Sequence, residues 1–203
     1  MNDSSNAKVK IAIFASGGGS NARKIMEHFK DSPVAQVGLV VSNKANAGVL
    51  GIAEAFGIPT QLIDRPGFYQ TEDLLEVLKK YQIGFIALAG FLWLVPGYLV
   101  REFPKRILNI HPALLPKYGG KGMYGHHVHE AVKAAGETES GPTIHFVDEQ
   151  YDEGDIVFQT RCSVHPEDTA DEIARKVLAL EHRYFPVILE KVIRDLGEGN
   201  LES

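Results

Sequence analysis

Apolar residues along the chain keep two rhythms in turn. Val9 to Ala15 is a near-continuous apolar run, as are Val37 to Val41, Ile83 to Ala89 and Ile107 to Ile110. Such runs predict strands buried on both faces. Between them the apolar positions recur at helical spacing, over Ala22 to Phe29, Gly48 to Phe56 and Thr71 to Tyr81. In the last of these Leu74, Leu75 and Leu78 share one face. Gly57-Ile58-Pro59 punctuates the chain before a short strand at Gln61 to Ile63. Strand and helix in alternation predict an α/β fold, a mostly parallel sheet with helices on both faces. The rhythm then changes. Pro142 to Val147 and Asp155 to Val164 are extended runs separated by a short acidic turn, so they predict a hairpin with one strand antiparallel to the rest. A long helix starts near Asp168, with Asp168 or Thr169 as N-cap and Glu172 closing a capping box. Pro186 should kink or restart it. No repeat, low-complexity tract or long linker divides the chain, so residues 1–203 are expected to form one domain, with 1–7 and 197–203 frayed.

Composition narrows the function classes. The 203 residues are 44% hydrophobic, enough for one sizeable core. A net charge of −5 and the absence of any Lys/Arg block argue against bulk nucleic-acid binding, which needs clustered positive charge. The single cysteine, Cys162, forms no intrachain disulfide and reads as a packed thiol. The first eight residues are polar and no apolar run reaches membrane-spanning length. The expectation is a soluble cytoplasmic protein acting on small molecules, monomer or homodimer, with no membrane partner.

Two segments carry candidate chemistry. Gly17-Gly18-Gly19-Ser20-Asn21 joins the first strand to the first helix. In an open α/β sheet that turn binds phosphates, through close backbone approach and the free N–H groups of the helix N-terminus. The string also satisfies G-x-G-x-x-A, but a dinucleotide fingerprint expects an acid about twenty residues later. Ser42-Asn43-Lys44 stands there instead, which favours a monophosphate. The second segment is Asn109-Ile110-His111-Pro112. Alternate strand residues share a face, so Asn109 and His111 project together at a strand end that Pro112 terminates. An amide donor beside an imidazole suits a carbonyl that becomes an oxyanion. A carboxylate reaching His111 would keep its imidazole charged. Asp148, Asp152 and Asp155 in the hairpin turn all qualify, although turns favour Asp for backbone reasons alone.

Other residues are weaker signals. His126, His127 and His129 suggest a metal, but they lack a regular i, i+4 pair, and zinc is not expected. His145 alternates with Ile144 and Phe146 in its strand and so faces away from both, while His28, His165 and His182 read as surface or packing residues. Gly90 to Pro96 is an apolar loop holding the only tryptophan, Trp93, and could wall a pocket for a flat heterocycle.

Ser16 to Asn21, Ser42-Asn-Lys44, Leu88-Ala-Gly-Phe91, Leu108 to Pro116, His145-Phe-Val147, Tyr151-Asp-Glu-Gly154 and Glu181-His182 come in an order that resembles the phosphoribosylglycinamide formyltransferase family along nearly the whole chain. The resemblance implies a Rossmann-like three-layer α/β/α fold with a mostly parallel seven-stranded sheet and one antiparallel strand. It implies formyl transfer from 10-formyltetrahydrofolate, as co-substrate and without a metal, to the amine of 5-phosphoribosyl-glycinamide, a step of purine biosynthesis. It selects Asn109, His111 and Asp152 as the catalytic trio, with Asp152 raising the pKa of His111. Gly18, Gly19, Ser20 and Asn21 would hold the ribonucleotide phosphate, and Glu181 would face the ribose. Leu92, Trp93, Leu94 and Val95, with Asn109 and the segment before Asp152, would hold the pterin. Trp93 departs from the family, which often has a long Arg there, and the loop Lys121 to Gly125 is longer than expected. Length argues against methionyl-tRNA formyltransferase, which carries an extra C-terminal domain, and against formyltetrahydrofolate hydrolase, which carries an N-terminal one. Hydrolysis of the same donor and a nucleotide-binding module without chemistry are the rival readings.

Overall fold

The computed structural model describes residues 8–199; residues 1–7 and 200–203, which make up most of the stretches 1–7 and 197–203 expected to fray, lie outside the described residues. Five parallel strands make the body of the sheet: β1 (Val9–Phe14), β2 (Ala35–Ser42), β3 (Thr60–Leu62), β4 (Ile83–Leu88) and β5 (Ile107–His111). They alternate with α1 (Ser20–Phe29), α2 (Gly48–Ala55), α3 (Arg65–Gln70), α4 (Asp73–Lys80) and α5 (Gly97–Glu102). After α6 (His126–Ala134) and the short β6 (Glu139–Ser140) come β7 (Thr143–Phe146), β8 (Ile156–Gln159), β9 (Cys162–Ser163) and α7 (Ala170–Gly197). The main sheet has seven strands in the order β3-β2-β1-β4-β5-β7-β8. β7 pairs antiparallel with both β5 and β8, so it alone runs against the others. This is the α/β fold with one reversed strand that the sequence pattern predicts.

Apolar alternation inside β1 builds both layers. Ile11 and Ile13 point to one face, where they join Ile25 and Phe29 of α1 and Phe185 and Leu189 of α7. Ala12 and Phe14 point to the other, with Phe68 of α3, Leu78 of α4 and Leu99 of α5. Each such large side chain contributes about 1.5–3 kcal/mol by leaving water. β1 pairs with β2 on one side and β4 on the other. Chain progression therefore reverses between β1 and β4, the switch point where open α/β sheets bind ligands beyond their carboxyl ends.

The structure departs from the sequence reading at several elements. The run Asp155 to Val164 is two strands, not one. β8 stays in the main sheet, and β9 leaves it to pair with β6 in a separate ribbon. Three helices, α3, α5 and α6, fall where no helix is expected; they have six, six and nine residues, too few for a repeating apolar face to stand out. Pro186 neither stops nor restarts α7, which runs unbroken for 28 residues. Thr169 is its N-cap and forms the capping box with Glu172, and Gly197 is its last residue. No helix among the described residues is long and apolar enough to cross a membrane.

Candidate active site

Three strand ends and one turn converge on a cavity of about 610 Å³. From β5, Asn109 and His111 reach it on alternate positions. β7 sets His145 opposite Asn109 in the antiparallel register. The β7–β8 turn brings in Asp152, held in the left-handed region at φ 58°. That turn closes tightly at Gly154, where a Cβ would fall 1.9 Å from the Phe146 carbonyl oxygen.

These four side chains touch. Asn109 Nδ2 lies 3.0 Å from His145 Nε2 and 3.4 Å from Asp152 Oδ1. His111 Nδ1 is 3.5 Å from Asp152 Oδ2, and His145 Nε2 is 3.5 Å from Asp152 Oδ1. The segment Tyr118 to Gly120 locks the group from above. His111 Nε2 donates to the Tyr118 carbonyl at 2.7 Å, and the Gly120 N–H donates to Asp152 Oδ2 at 2.9 Å. A bond to a carbonyl requires the proton on Nε2, which leaves Nδ1 as the free nitrogen of His111, turned toward Asp152.

Burial decides the charge of His111. Its ring is 4% exposed, and desolvation lowers its pKa below the ordinary histidine value despite the opposing Asp152 charge and Tyr118 carbonyl. The expectation that Asp152 keeps this ring charged is therefore corrected: Asp152 pulls upward, but burial wins. Burial would also raise the Asp152 carboxyl, yet the polar groups around it, among them the Gly120 N–H, more than offset it, and Asp152 sits below the ordinary Asp value.

At the other end of the cavity, Asn21 Nδ2 donates to Glu181 at 2.5 Å. Glu181 is 6% exposed on the inner stripe of α7, and burial raises its carboxyl to about 7 against the Asn21 bond. Asn21 Oδ1 is buried without a partner, as is Nδ1 of His129, and both residues line the cavity. Orphaned buried polar atoms facing a cavity are groups that a ligand would satisfy. Gly18, Gly19 and Ser20 lie beyond the cavity wall, in the turn leading to Asn21. Gly19 caps α1 at φ 80°, and a Cβ there would press within 2.8 Å of the Val49 backbone. The first N–H groups of α1 are thus left free for an anion.

The apolar wall is the loop after β4. Leu92, Trp93, Leu94 and Val95 all line the cavity. Ser16 Oγ accepts from the Leu92 N–H at 3.0 Å, and the Tyr69 hydroxyl donates to the Leu94 carbonyl at 3.1 Å. Trp93 packs on Phe68, Tyr69 and Phe91.

The histidine cluster divides. His126 lies near Glu130 and Asp171, His127 lies near Glu130, and His129 faces the cavity with burial lowering its pKa to about 4. Among the described residues no three His, Cys, Asp or Glu side chains are grouped to hold a metal ion. His145 is the contact that strand alternation did not single out. Its signal was the partnership of β5 and β7, which places it against Asn109.

The chain matches the family model described as formyl transferase over residues 9–189. It is 45% identical over 192 residues to a chloroplastic phosphoribosylglycinamide formyltransferase of Arabidopsis thaliana, covering 92% of this chain and 66% of that one. A second, from Vigna unguiculata, is 44% identical, with 92% and 61% covered. The chain thus spans slightly less than two thirds of the length of either plant relative. Among solved structures, the phosphoribosylglycinamide formyltransferase of Anaplasma phagocytophilum superposes with a TM-score of 0.83 at 32% identity, covering 93% of this chain and 88% of that one.

Proposed function

The chain belongs to the formyl transferase family, and from that premise we propose that it moves the formyl group of 10-formyltetrahydrofolate to the amine of 5-phosphoribosyl-glycinamide in purine biosynthesis, as one catalytic domain. The observation that carries this reading is the meeting of Asn109, His111 and Asp152 at the base of a cavity walled by Leu92 to Val95. The opposite end of that cavity is closed by Asn21 and Glu181 beside the α1 N-terminus. A flat apolar group fits the first region, and a phosphorylated sugar fits the second.

The residues divide the chemistry as follows. The substrate amine, ordinarily near pKa ~8, attacks the formyl carbon in its neutral form. A C–N bond forms, and the carbonyl electron pair moves onto the formyl oxygen. Asn109 donates an N–H to that oxygen as charge develops. His111, neutral with Nδ1 free, accepts the proton released by the attacking amine, and Asp152 stabilises the resulting imidazolium. As the oxygen lone pair reforms the carbonyl, the bond to N10 of the folate breaks. N10 leaves with the proton delivered from His111. The amine has lost one proton, N10 has gained it, and no redox change occurs.

An absorbance assay of tetrahydrofolate formation, with donor plus glycinamide ribonucleotide, tests the reading. Turnover that requires the amine supports it. Formate release at the same rate from donor alone would replace it with hydrolysis.

A further inference from the structure

His145 is 2% exposed, faces the reacting groups and has no part in the steps above. We propose that it is a positioning residue, which fixes the orientation of the Asn109 amide so that one N–H is held in reserve for the developing oxyanion. The inference rests on the formyl-transfer reading for its consequence, but its geometry stands apart from it.

The hydrogen-bond inventory carries the argument. His145 Nδ1 lies 2.8 Å from the carbonyl oxygen of Phe146. A carbonyl only accepts, so Nδ1 bears the proton. In the neutral ring Nε2 is then a lone pair, 3.0 Å from Asn109 Nδ2. An amide rotated by half a turn would set its own oxygen against that lone pair, acceptor against acceptor. The His145 lone pair therefore selects the rotamer with the Asn109 NH₂ turned inward.

The NH₂ group has two hydrogens. One is taken by His145. The other points toward Asp152 Oδ1 at 3.4 Å, the weak limit of hydrogen-bond reach. That second hydrogen is loosely held, and a negatively charged oxygen entering between the two residues would take it at little cost. With Nε2 unprotonated, the 3.5 Å approach of His145 to Asp152 is not a hydrogen bond. The carboxylate is then held by the Gly120 N–H. The backbone enforces the arrangement, because Asn109 and His145 are direct cross-strand partners in β5 and β7.

Two measurements on the full chain test this. The first needs no activity. Nitrogen-15 spectra of histidine-labelled protein at pH 8.5 should show His145 with a protonated Nδ1 and a bare Nε2, and replacing Asn109 by Ala should shift the Nε2 resonance. A protonated Nε2, or no response to Asn109→Ala, would overturn the proposal even if the wild type transfers formyl groups. The second is a double-mutant cycle. His145→Leu should lower kcat by about 10-fold or more, part of the 10²–10³-fold scale of one lost oxyanion donor. KM for both substrates should stay within about twofold, since the contact strengthens only in the transition state. His145→Gln, whose side-chain oxygen can stand in for Nε2, should recover most of the loss. In an Asn109→Ala background His145→Leu should cost nothing further. Additive losses would instead mark His145 as structural support and refute the positioning role. A wild type that does not transfer formyl at all would sink the functional reading while leaving the spectroscopic test in force.

Discussion

At the scale of single residues, the site is an exercise in which nitrogen or oxygen carries a proton. Asp152→Asn keeps the shape of the turn but removes the charge that stabilises a protonated His111. Turnover should fall by ~10²-fold or more, the scale of a lost acid/base group, measured in the tetrahydrofolate assay. The same substitution should lower the His111 pKa further below its ordinary value, because the Asp152 charge opposes burial there; NMR titration reads this directly. Glu181 makes a stability prediction. Its carboxyl goes from an ordinary 4.5 unfolded to about 7 folded. A raised pKa means the folded state holds a proton that the unfolded chain has lost, so stability declines as pH climbs from 4.5 to 7 and is flat beyond. The gap amounts to about 3 kcal/mol at most, at 1.36 kcal/mol per pKa unit. Glu181→Gln should abolish that slope and melt higher than wild type at pH 8, with the two curves meeting near pH 4. Residue by residue, sequence reading reached Asn109 and His111 by strand alternation alone. Local pattern alone left Asp148, Asp152 and Asp155 open; the family resemblance picked Asp152, and the left-handed turn geometry that aims it inward has no local sequence signature. Glu181, which the family resemblance places at the ribose, also carries a signal of its own: it falls on the i, i+4 stripe Ile173, Val177, Glu181, Phe185, where a charge on an apolar face has to be explained.

Elements transmit this precision. The β1–α1 turn depends on Gly19, since φ 80° and the 2.8 Å approach of Val49 leave no room for a side chain. Gly19→Ala should destabilise the fold by roughly 1–3 kcal/mol, the scale of a strained left-handed residue, read from urea unfolding midpoints. The same variant should bind a phosphorylated ligand less well. α7 is anchored differently. Thr169 accepts from the Glu172 N–H, while the Glu172 carboxylate accepts from the Thr169 N–H. Thr169→Ala should cost about 1 kcal/mol, seen as a lower unfolding midpoint at unchanged slope. Long elements with a clear period were legible: β1, β2, β4, α4 and the start of α7 come straight from apolar spacing. The short ones were not. The six residues of α3 and α5 hold fewer than two turns and show no clear period, and the Val128–Val132 pair of α6 is hidden among three histidines. The break between β8 and β9 depends on pairing with β6, a contact that no local pattern records.

For the whole molecule, the reversal of strand order between β1 and β4 explains why Ser16 and Leu92, 76 positions apart, meet. The groups proposed to react sit at the carboxyl end of β5 and in the β7–β8 turn, on a cavity also lined from the carboxyl end of β4. Ligands that span the cavity bind the folded chain alone and should raise its melting temperature by mass action, about 2.7 kcal/mol of added stability at a hundredfold excess over Kd. A phosphorylated sugar and a folate added together should stabilise at least as much as the sum of each separately if both regions are used at once. The wall that would meet the folate contains Trp93, the only tryptophan in the chain. Its indole is partly open to the cavity and clustered with Phe68, Tyr69 and Phe91. The protein therefore carries its own optical probe: light absorbed near 295 nm is re-emitted from a single point on the cavity wall, and quenching of that emission during a titration would count filled cavities without any label.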